Sequence, residues 1–472
     1  MKEYKIYSGG DFIASTIQMN VINPFNNEII ATTYLSTAEI LEKAIEKAKS
    51  AEKQMKELPS FVRYNILMNI ASDLKSEKQH IAEVLCLESG KPILYALGEI
   101  DRAIQTFIVA AEESKRLPRE YLSIDWTPAG KNKEGLVRYF PVGIVAGISP
   151  FNFPLNLAVH KIAPAIAAGC PIILKPASKT PLSTLELAKI LHNTDLLPKG
   201  AVSILPMDRS TGNQLVTDDR IKLLTFTGSS VVGWEMKKNC GKKKIVLELG
   251  GNAGVIITES ADIDDCVRKN LAGGFSYSGQ VCIHTQRIYV HENLFNEFTE
   301  KFIDGVNNLK FGNPLDLQTE ISSMIDEKNA IRVETWVNEA INAGAKLLCG
   351  GRREGTYFQP TVLTNTNSEM KVCSNEIFGP VVIIEKYSDF NSAIENINNT
   401  RYGLQAGIFT NNIAQMNYAF ENINAGGIML NDCPTFRVDH MPYGGVKDSG
   451  IGREGIRYSI LDMMESRLLV KS

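Results

Sequence analysis

The chain has 472 residues, of which 44% are hydrophobic and 22% charged, and 50 Lys and Arg against 53 Asp and Glu give a formal net charge of −3. At roughly 150 residues per domain this length predicts about three domains. The charge balance argues against a protein that mainly binds nucleic acid or anionic membrane, and the hydrophobic content argues against disorder.

The cysteines predict free thiols in a reducing compartment. Eight cysteines are scattered along the chain without a CxxC pair or ligand-like spacing to histidine, so neither a disulfide framework nor a metal site is expected. Met1–Lys5 lacks the apolar core of a signal peptide. Residues 139–160 carry no charged side chain, but their prolines and asparagines argue against a membrane span. A cytoplasmic protein is expected.

The N-terminal quarter of the chain is predicted to be helical. Ser36–Glu39 has the capping-box form, and apolar residues at spacings of three and four continue from Leu41 to Leu58. Two further helices are expected around 61–76 and 92–116. Residues 119–138 are polar and contain Pro and Gly, which predicts a hairpin or an excursion from the core.

From residue 142 onwards, apolar strands alternate with helix-like segments. Such alternation indicates βαβ units and a parallel, doubly wound sheet. The predicted strands are Val142–Ile148, Ile172–Lys175, Val202–Leu205, Leu223–Phe226 and Ile245–Leu249, with helices near 155–169, 181–193, 209–217 and 230–240. A second α/β series is expected from about 254 to 430, and a final strand at Arg467–Val470 is of a type that often pairs outside its own domain.

Cys282 is the candidate nucleophile. Gly279 before it and the strand-like residues 287–290 after it predict that the thiol lies in a loop or at a helix start. A helix N-terminus lowers the pKa of a thiol and favours the reactive thiolate. For a cysteine chosen at random, a small buried core thiol is the commoner alternative.

Glu248 and Asn152 are candidates for acid–base and oxyanion chemistry. Glu248 ends an apolar strand before two glycines, where burial raises a carboxyl pKa towards that of a general base; a strand-end salt bridge is the alternative. Asn152 lies between Pro150 and Pro154, and a loop held in this way suits an oxyanion donor. A turn-forming Asn is the alternative there.

The sequence has no GxGxxG motif, yet two segments are suited to a dinucleotide. Phe226–Gly233 joins a predicted strand to a predicted helix, so free amides are expected to face a pyrophosphate. Lys175 ends the second strand of the sheet, at the edge where ligands bind in this architecture.

Motifs of this kind occur in order along nearly the whole chain. They are Asn23–Ile30, Phe151–Pro154, Leu174–Ala177, Phe226–Ser229, Glu248–Asn252, Gly279–Cys282, Glu376–Pro380 and Pro442–Gly450. Together they resemble the aldehyde dehydrogenase superfamily. The resemblance implies an α/β fold with a Rossmann-type cofactor domain, an α/β catalytic domain and a small β bridge that joins subunits into a dimer or tetramer.

The resemblance also implies a mechanism. Cys282 would attack the aldehyde, Asn152 and the Cys282 amide would hold the oxyanion, and Glu248 would activate the water that hydrolyses the thioester. Lys161 matches a family lysine that assists proton movement. The cofactor contacts implied by the resemblance or predicted beside its motifs are Ser149, Phe151, Lys175, Ser178, Lys179, Gly228, Ser229, Gly250, Glu376 and Phe378.

Two positions depart from the commonest family patterns. Where members that prefer NAD often have a glutamate, this chain has Ser178 followed by Lys179, which removes repulsion of a 2′-phosphate. NADP or NAD is therefore expected, with NADP favoured, and a Lys179 that points into solvent is the alternative. The substrate loop 435–441 is polar, as in lactaldehyde and glyceraldehyde dehydrogenases. The expected substrate contacts are Phe153, His160, His284, Arg437 and His440.

The predicted domains are 1–118 with 142–250 for the cofactor, 251–450 for catalysis, and 119–141 with 455–472 for the bridge. Arg437 is expected to meet a carboxylate, phosphate or hydroxyl of the substrate, or else to pair with Asp439 or another acid. Succinate-semialdehyde and CoA-acylating dehydrogenases are alternative functions. A Cys–His hydrolase built on Cys282 and a non-catalytic protein are the remaining alternatives.

Overall fold

The computed structural model describes residues 2–472, in which helices and strands alternate. The helices are α1 (Ala38–Glu57), α2 (Ser60–Ser76), α3 (Lys78–Ser89), α4 (Ile93–Ser114), α5 (Asn156–Ala168), α6 (Leu182–Asn193), α7 (Arg209–Thr217), α8 (Ser230–Asn239), α9 (Ile263–Phe275), α10 (Phe295–Asn307), α11 (Glu327–Asn342), α12 (Lys371–Ser374), α13 (Phe390–Asn398), α14 (Ile413–Asn422) and α15 (Ile456–Asp462). The strands are β1 (Lys2–Glu3), β2 (Ile6–Ser8), β3 (Asp11–Ile13), β4 (Gln18–Ile22), β5 (Ile29–Tyr34), β6 (Arg119–Ser123), β7 (Glu134–Pro141), β8 (Ile144–Ile148), β9 (Ile172–Lys175), β10 (Val202–Ile204), β11 (Ile221–Thr227), β12 (Lys244–Glu248), β13 (Gly254–Ile257), β14 (Arg287–His291), β15 (Lys346–Cys349), β16 (Arg353–Glu354), β17 (Tyr357–Phe358), β18 (Thr361–Thr364), β19 (Val381–Tyr387), β20 (Gln405–Phe409), β21 (Gly427–Leu430), β22 (Gly450–Ile451) and β23 (Met464–Lys471).

The first large sheet is doubly wound around β8. Its order is β22-β12-β11-β8-β9-β10-β2-β3, and strands β8 to β12 run parallel. The chain passes from β8 to β9 and β10 on one side, then returns through β11 and β12 on the other. Ligands bind in such sheets at the carboxyl ends of the strands, where the order reverses. That point lies here between β8 and β11.

The second large sheet confirms the predicted second α/β series. Its order is β15-β18-β19-β14-β13-β20-β21, and its strands are parallel except for β15. The loop that carries Cys282 enters this sheet through β14. The candidate nucleophile Cys282 thereby approaches the strand ends of the first sheet.

A third, antiparallel sheet has the order β23-β7-β6. Residues 119–141 form its hairpin, which was one of the two predicted alternatives for this segment. The tail strand pairs with β7 over Met464–Lys471 and is longer than the predicted Arg467–Val470. Tyr121, Leu468 and Leu469 expose large apolar side chains on this small sheet.

Helix α5 explains how polar groups enter the interior. All thirteen of its residues are buried, among them His160 and Lys161. A helix that is apolar on nearly every side packs inside a protein. The imidazole of His160 and the ammonium of Lys161 therefore lie beneath the sheet edge, where they must find partners.

Two local predictions were wrong. Helix α1 is capped by Thr37, whose hydroxyl accepts a hydrogen bond from the Ile40 amide at 3.4 Å, rather than by Ser36, whose own amide donates to the Pro206 carbonyl. Helix α3 was not predicted, because it follows α2 after the single residue Glu77, without a glycine or proline to separate them.

Candidate active site

Cys282 lies in a tight turn between α9 and β14. The preceding residues Tyr277, Ser278 and Gly279 all have positive φ angles, of 49°, 52° and 67°. A Cβ atom at Gly279 would lie 2.2 Å from the carbonyl oxygen of Gly379, so only glycine fits that approach. The loop alternative of the sequence prediction is therefore confirmed.

The surroundings of the thiol raise its pKa. The Sγ atom of Cys282 lies 3.0 Å from the Tyr443 hydroxyl. Burial raises the thiol pKa to about 11, against the opposing effects of Tyr443 and Arg437. The predicted lowering by a helix N-terminus was wrong, because the turn does not open a helix.

Glu248 is the last residue of β12 and is 2% exposed. Neither of its carboxyl oxygens has a hydrogen-bond partner in the described part of the chain. Burial raises its pKa well above the usual value, and the charge of Glu454 adds to this effect. Glu248 forms no salt bridge with any other residue of the described range 2–472, so the alternative of a strand-end salt bridge is not observed there.

Asn152 and Phe153 both reach the nucleophile loop. The Asn152 amide donates to the carbonyl of Gln280 at 3.0 Å, two residues before Cys282. Phe153 packs in the apolar cluster that surrounds Cys282 and includes Tyr443. The structure thus brings the predicted oxyanion donor and one predicted substrate contact to the thiol.

Lys161 and Arg437 share one buried carboxylate, that of Glu454. The Lys161 ammonium lies 2.7 Å from the Thr227 hydroxyl and 3.3 Å from Glu454 Oε1, and Arg437 Nη2 lies 2.9 Å from Glu454 Oε2. Burial lowers the pKa of Lys161. Burial alone would raise the Glu454 pKa, but Lys161, His160 and Arg437 outweigh it and hold the value at about 2.

His160 belongs to an acid network. Its Nε2 donates to Asp439 Oδ1 at 2.8 Å, and Arg102 Nη2 donates to the same oxygen at 2.7 Å. Burial lowers the pKa of His160, although Asp439 opposes this, so the imidazole is neutral at physiological pH. Arg437 pairs with Glu454 instead of Asp439, which matches the alternative of another acid.

The other two predicted histidines lie apart from this network. His284 is buried and donates from Nε2 to the carbonyl of Gly274 at 2.9 Å, and burial lowers its pKa to about 4. His440 is exposed. Both were expected to contact the substrate, but the backbone directs His284 into the packing against α9 and His440 outward.

A cavity of about 460 Å³ lies at the ends of β8, β9 and β11. Its walls include Lys175, Ser178 and Arg209. Burial lowers the pKa of Lys175. Lys179 is not a wall residue: its side chain is 62% exposed and lies 3.7 Å from Asp326, so the solvent alternative is confirmed for this lysine.

Three of the remaining predicted cofactor residues, Ser149, Gly228 and Ser229, follow the carboxyl ends of β8 and β11. Ser149 follows β8 and has a buried hydroxyl without a partner among residues 2–472. Ser229 begins α8 without a side-chain cap, which leaves first-turn amides for a ligand, whereas the Gly228 amide is bound by the Glu248 carbonyl at 3.0 Å. The ring of Phe151 meets that of Phe378 edge-on at 5.7 Å.

Glu376 lies against the glycines that follow Glu248. Its Oε1 accepts from the Gly251 amide at 3.1 Å, and a Cβ atom at Gly250 would lie 2.1 Å from Oε2. Burial raises the Glu376 pKa to about 7. The orphaned serine hydroxyl, the uncapped helix and this close glycine contact fit a dinucleotide that extends from the cavity to the thiol.

Sequence reasoning missed four residues of the site: Tyr443, Glu454, Arg102 and Arg209. Tyr443 and Glu454 lie in and just after the glycine-rich segment 442–450, and their backbones hydrogen-bond to each other. That segment is the only signal that pointed towards them. Arg102 and Arg209 lie on helices whose sequence shows nothing that distinguishes them from surface arginines.

The geometry defines an oxidoreductase-type site, in which the half-buried Cys282 and the buried carboxyl group of Glu248 lie at the ligand edge of a dinucleotide-binding sheet. Residues 12–469 match the model of the aldehyde dehydrogenase family, and the chain belongs to that family. It is an NAD(P)-dependent aldehyde dehydrogenase. Across residues 2–472, the helices are too short or too polar to span a membrane.

Three known proteins show how closely the chain resembles other members. It is 41% identical over 471 residues to a 3-sulfolactaldehyde dehydrogenase of Priestia aryabhattai, which covers 100% of this chain and 98% of that protein. The crystal structure of aldehyde dehydrogenase 21 from Physcomitrella patens with the reaction product succinate has a TM-score of 0.98 at 46% identity, with 100% and 98% of the two chains covered. Glyceraldehyde-3-phosphate dehydrogenase of Methanocaldococcus jannaschii, complexed with NADP, has a TM-score of 0.93 at 40% identity and covers 96% and 99%.

Proposed function

We propose that this enzyme oxidises a small, polar aldehyde of the lactaldehyde or glyceraldehyde type to its carboxylic acid. The observation that carries the proposal is the Arg437 guanidinium, which stacks on Tyr443 beside the thiol and belongs to a side chain that is 6% exposed. Its Nη2 is paired with Glu454, but its buried Nε has no hydrogen-bond partner among residues 2–472 and leaves a donor for a hydroxyl or anionic oxygen of the substrate. The names of the similar proteins, which act on hydroxylated or charged aldehydes, support this choice.

Succinate semialdehyde is the second candidate substrate. Arg102 lies 5.8 Å from the ring of Phe153 and is partly exposed, so a second guanidinium lies near a side chain that packs in the cluster around Cys282. Two arginines suit a carboxylate at the far end of a four-carbon aldehyde. The similar plant enzyme was crystallised with succinate.

In the proposed first step, the Cys282 thiol loses its proton and the sulfur attacks the aldehyde carbon. The carbonyl electron pair moves onto oxygen, where the Asn152 side-chain amide and the Cys282 amide stabilise the charge. Asn152 is buried and already positioned by Gln280, so it needs little reorganisation. When bound, NAD(P) would accept the hydride that the former aldehyde carbon loses as the oxyanion re-forms the carbonyl, and a thioester is left on Cys282.

In the proposed second step, Glu248 removes a proton from the water that hydrolyses the Cys282 thioester. Both oxygens lack a hydrogen-bond partner among residues 2–472 and would accept one from that water, and the raised pKa means that this carboxylate takes up a proton more readily than an ordinary one. Hydrolysis releases the acid and returns Cys282 as a thiol. Lys161, anchored on Glu454 and Thr227, would balance the charge of Glu248 during this step.

We propose that NADP is favoured over NAD. The chain has no carboxylate at Ser178 to repel a 2′-phosphate, and Lys175 and Arg209 line the same cavity. Lys175, Ser178 and Ser229 would hold the adenosine and pyrophosphate, and Glu376 with Phe378 the nicotinamide end.

We also propose that the β23-β7-β6 sheet joins subunits into a dimer or tetramer. Its exposed apolar side chains and its open edges support this role, because an uncovered edge strand tends to pair with another chain. With this role we also propose the domain limits predicted from the sequence, which are 1–118 with 142–250 for the cofactor, 251–450 for catalysis, and 119–141 with 455–472 for the bridge.

We propose a reducing, cytoplasmic location for the protein. All eight cysteines are free, which supports this location.

A steady-state comparison tests the proposal. Lactaldehyde, glyceraldehyde, succinate semialdehyde and propanal are each assayed with NADP and with NAD, in wild type and in Arg437→Leu. The substitution is expected to raise KM for the polar aldehydes at least tenfold more than for propanal, about 1.4 kcal/mol. Equal changes for all four substrates would contradict a substrate role for Arg437.

Two controls separate the alternatives. Cys282→Ser is expected to abolish aldehyde-dependent reduction while NADP still binds, and retained activity would overturn the proposed function. Wild-type enzyme assayed with CoA is expected to release free acid only, because Glu248 is present to activate water. Formation of acyl-CoA would instead identify a CoA-acylating enzyme.

A further inference from the structure

Tyr443 is held rigidly against the nucleophile. Its amide donates to the Glu454 carbonyl at 2.8 Å, and the Glu454 amide donates back at 2.6 Å. The Arg437 guanidinium covers the face of its ring at 3.6 Å from the centroid, and Arg437 is itself bound to the Glu454 carboxylate. The ring is thus fixed on its backbone side and on one face, with its hydroxyl 3.0 Å from Cys282 Sγ.

The direction of this hydrogen bond depends on the charge of the sulfur. Between a thiol and a phenol either atom can donate, but an anionic sulfur can only accept. Burial raises the Tyr443 pKa well above the usual value, so the phenol keeps its proton when the thiol ionises. Hydrogen bonds to charged acceptors are roughly twice as strong as neutral ones, so this bond favours the thiolate.

Four ionisable groups act on the thiol. Tyr443 and Arg437 lower the pKa of Cys282, whereas the carboxylates of Glu376 and Glu248 raise it when they are charged. The hydroxyl of Tyr443 is the polar atom that contacts Sγ directly. An apolar ring of the same size would leave the thiolate without that donor.

We propose that Tyr443 is a catalytic residue that donates a hydrogen bond to the anionic sulfur of Cys282, and that Arg437 positions its ring. This inference rests on the proposed function of Cys282 as nucleophile. It adds a residue that prepares the sulfur before any substrate arrives. The proton released by the thiol passes to solvent, and Tyr443 retains its own.

Alkylation of Cys282 by iodoacetamide measures this effect without aldehyde or dinucleotide. The rate is followed across pH by mass spectrometry of the Cys282 peptide, in which the sulfur displaces iodide. Tyr443→Phe is expected to raise the apparent pKa of alkylation by about one unit and to slow the reaction about tenfold at neutral pH. An unchanged apparent pKa would overturn the proposal.

Tyr387→Phe is the matched control. Tyr387 is also buried in the second half of the chain, where its hydroxyl donates to the Ile257 carbonyl at 3.2 Å. Removing that hydroxyl is expected to leave the alkylation profile of Cys282 unchanged. A shift equal to that of Tyr443→Phe would show a general effect of lost buried hydroxyls and would contradict the specific role.

Arg437→Lys keeps Tyr443 and tests the positioning role. The alkylation pKa of this single variant can be measured even when Tyr443→Phe does not fold. The substitution keeps the positive charge but loses the planar stack. It is expected to raise the alkylation pKa, and to do so less in a Tyr443→Phe background. An unchanged pKa, or equal effects in both backgrounds, would contradict positioning through the ring. None of these readouts depends on turnover. A negative alkylation result would therefore overturn the role of Tyr443 alone, whereas retained activity in Cys282→Ser would overturn the proposed function.

Discussion

Replacing Glu248 with glutamine is the sharpest test of the proposed second step. Glutamine keeps the size of the side chain but cannot accept a proton. Because both carboxyl oxygens of Glu248 lack partners, the change breaks no hydrogen bond in the described structure. The proposed first step uses Cys282 and Asn152 but not Glu248, so Glu248→Gln is expected to leave the first turnover nearly intact.

The expected magnitude follows from the role of a general base. Such a group contributes about 10²–10⁴-fold to a rate, so steady-state kcat is expected to fall by that factor. Each active site is expected to release one equivalent of reduced dinucleotide rapidly and then to stall as the thioester of Cys282.

Stopped-flow absorbance of the reduced nicotinamide measures this burst, and mass spectrometry of quenched enzyme detects the acyl group on Cys282. Glu385→Gln is the matched control, because burial also raises the Glu385 pKa but this carboxylate is bound by Thr366. The role of Glu248 after acylation would be refuted if Glu248→Gln gave no burst. It would also be refuted if this variant slowed the first turnover as much as the steady state.

The same substitution has a predicted effect on stability. Since the folded-state pKa of Glu248 is raised, its contribution to stability is fully present below the unfolded value of 4.5 and is lost as pH rises through the folded value. Glutamine has no such loss. Glu248→Gln is therefore expected to gain stability relative to wild type above pH 4.5, by at most about 1.4 kcal/mol per pH unit, in urea unfolding curves. A difference that does not change with pH would contradict the raised pKa.

Two further substitutions test the coenzyme site and the core. Ser178→Glu is expected to lower the ratio of kcat/KM for NADP over NAD at least tenfold, about 1.4 kcal/mol, because a carboxylate there repels the 2′-phosphate. Lys179→Ala is its control, and an equal effect of both would contradict the placement of Ser178. Glu99→Ala leaves the buried ammonium of Lys91 without its ion pair and is expected to cost about 3–5 kcal/mol in urea unfolding. A loss of unfolding free energy below about 1 kcal/mol would show that Glu99 is not the partner that stabilises Lys91.

The alternation of elements could be predicted because it is a local property of the sequence. Apolar runs such as Ile172–Lys175 and the helix at 209–217 carry their own periodicity, and both occur as expected. The boundary between α2 and α3 could not be predicted, because Glu77 changes the chain direction without a residue that signals a turn.

The catalytic motifs were also visible in the sequence, since Cys282, Glu248 and Asn152 lie in short segments whose glycines and prolines mark unusual backbone. The ionic network behind them was not. Asp439 and Arg102 are 337 positions apart, and Glu454 meets Lys161 across a separation of 293. Residues this far apart leave no local pattern by which one of them predicts the other.

The amino-acid sequence by itself determined the class of fold, the candidate nucleophile Cys282, the candidate base Glu248 and the lack of a carboxylate at Ser178, because each depends on residue type and near neighbours. Tertiary structure alone decided that Arg437 pairs with Glu454 and stacks on Tyr443, that Lys179 faces solvent, and that burial raises the Cys282 pKa. Burial and ionic pairing depend on which distant segments pack together, and folding alone brings those segments into contact.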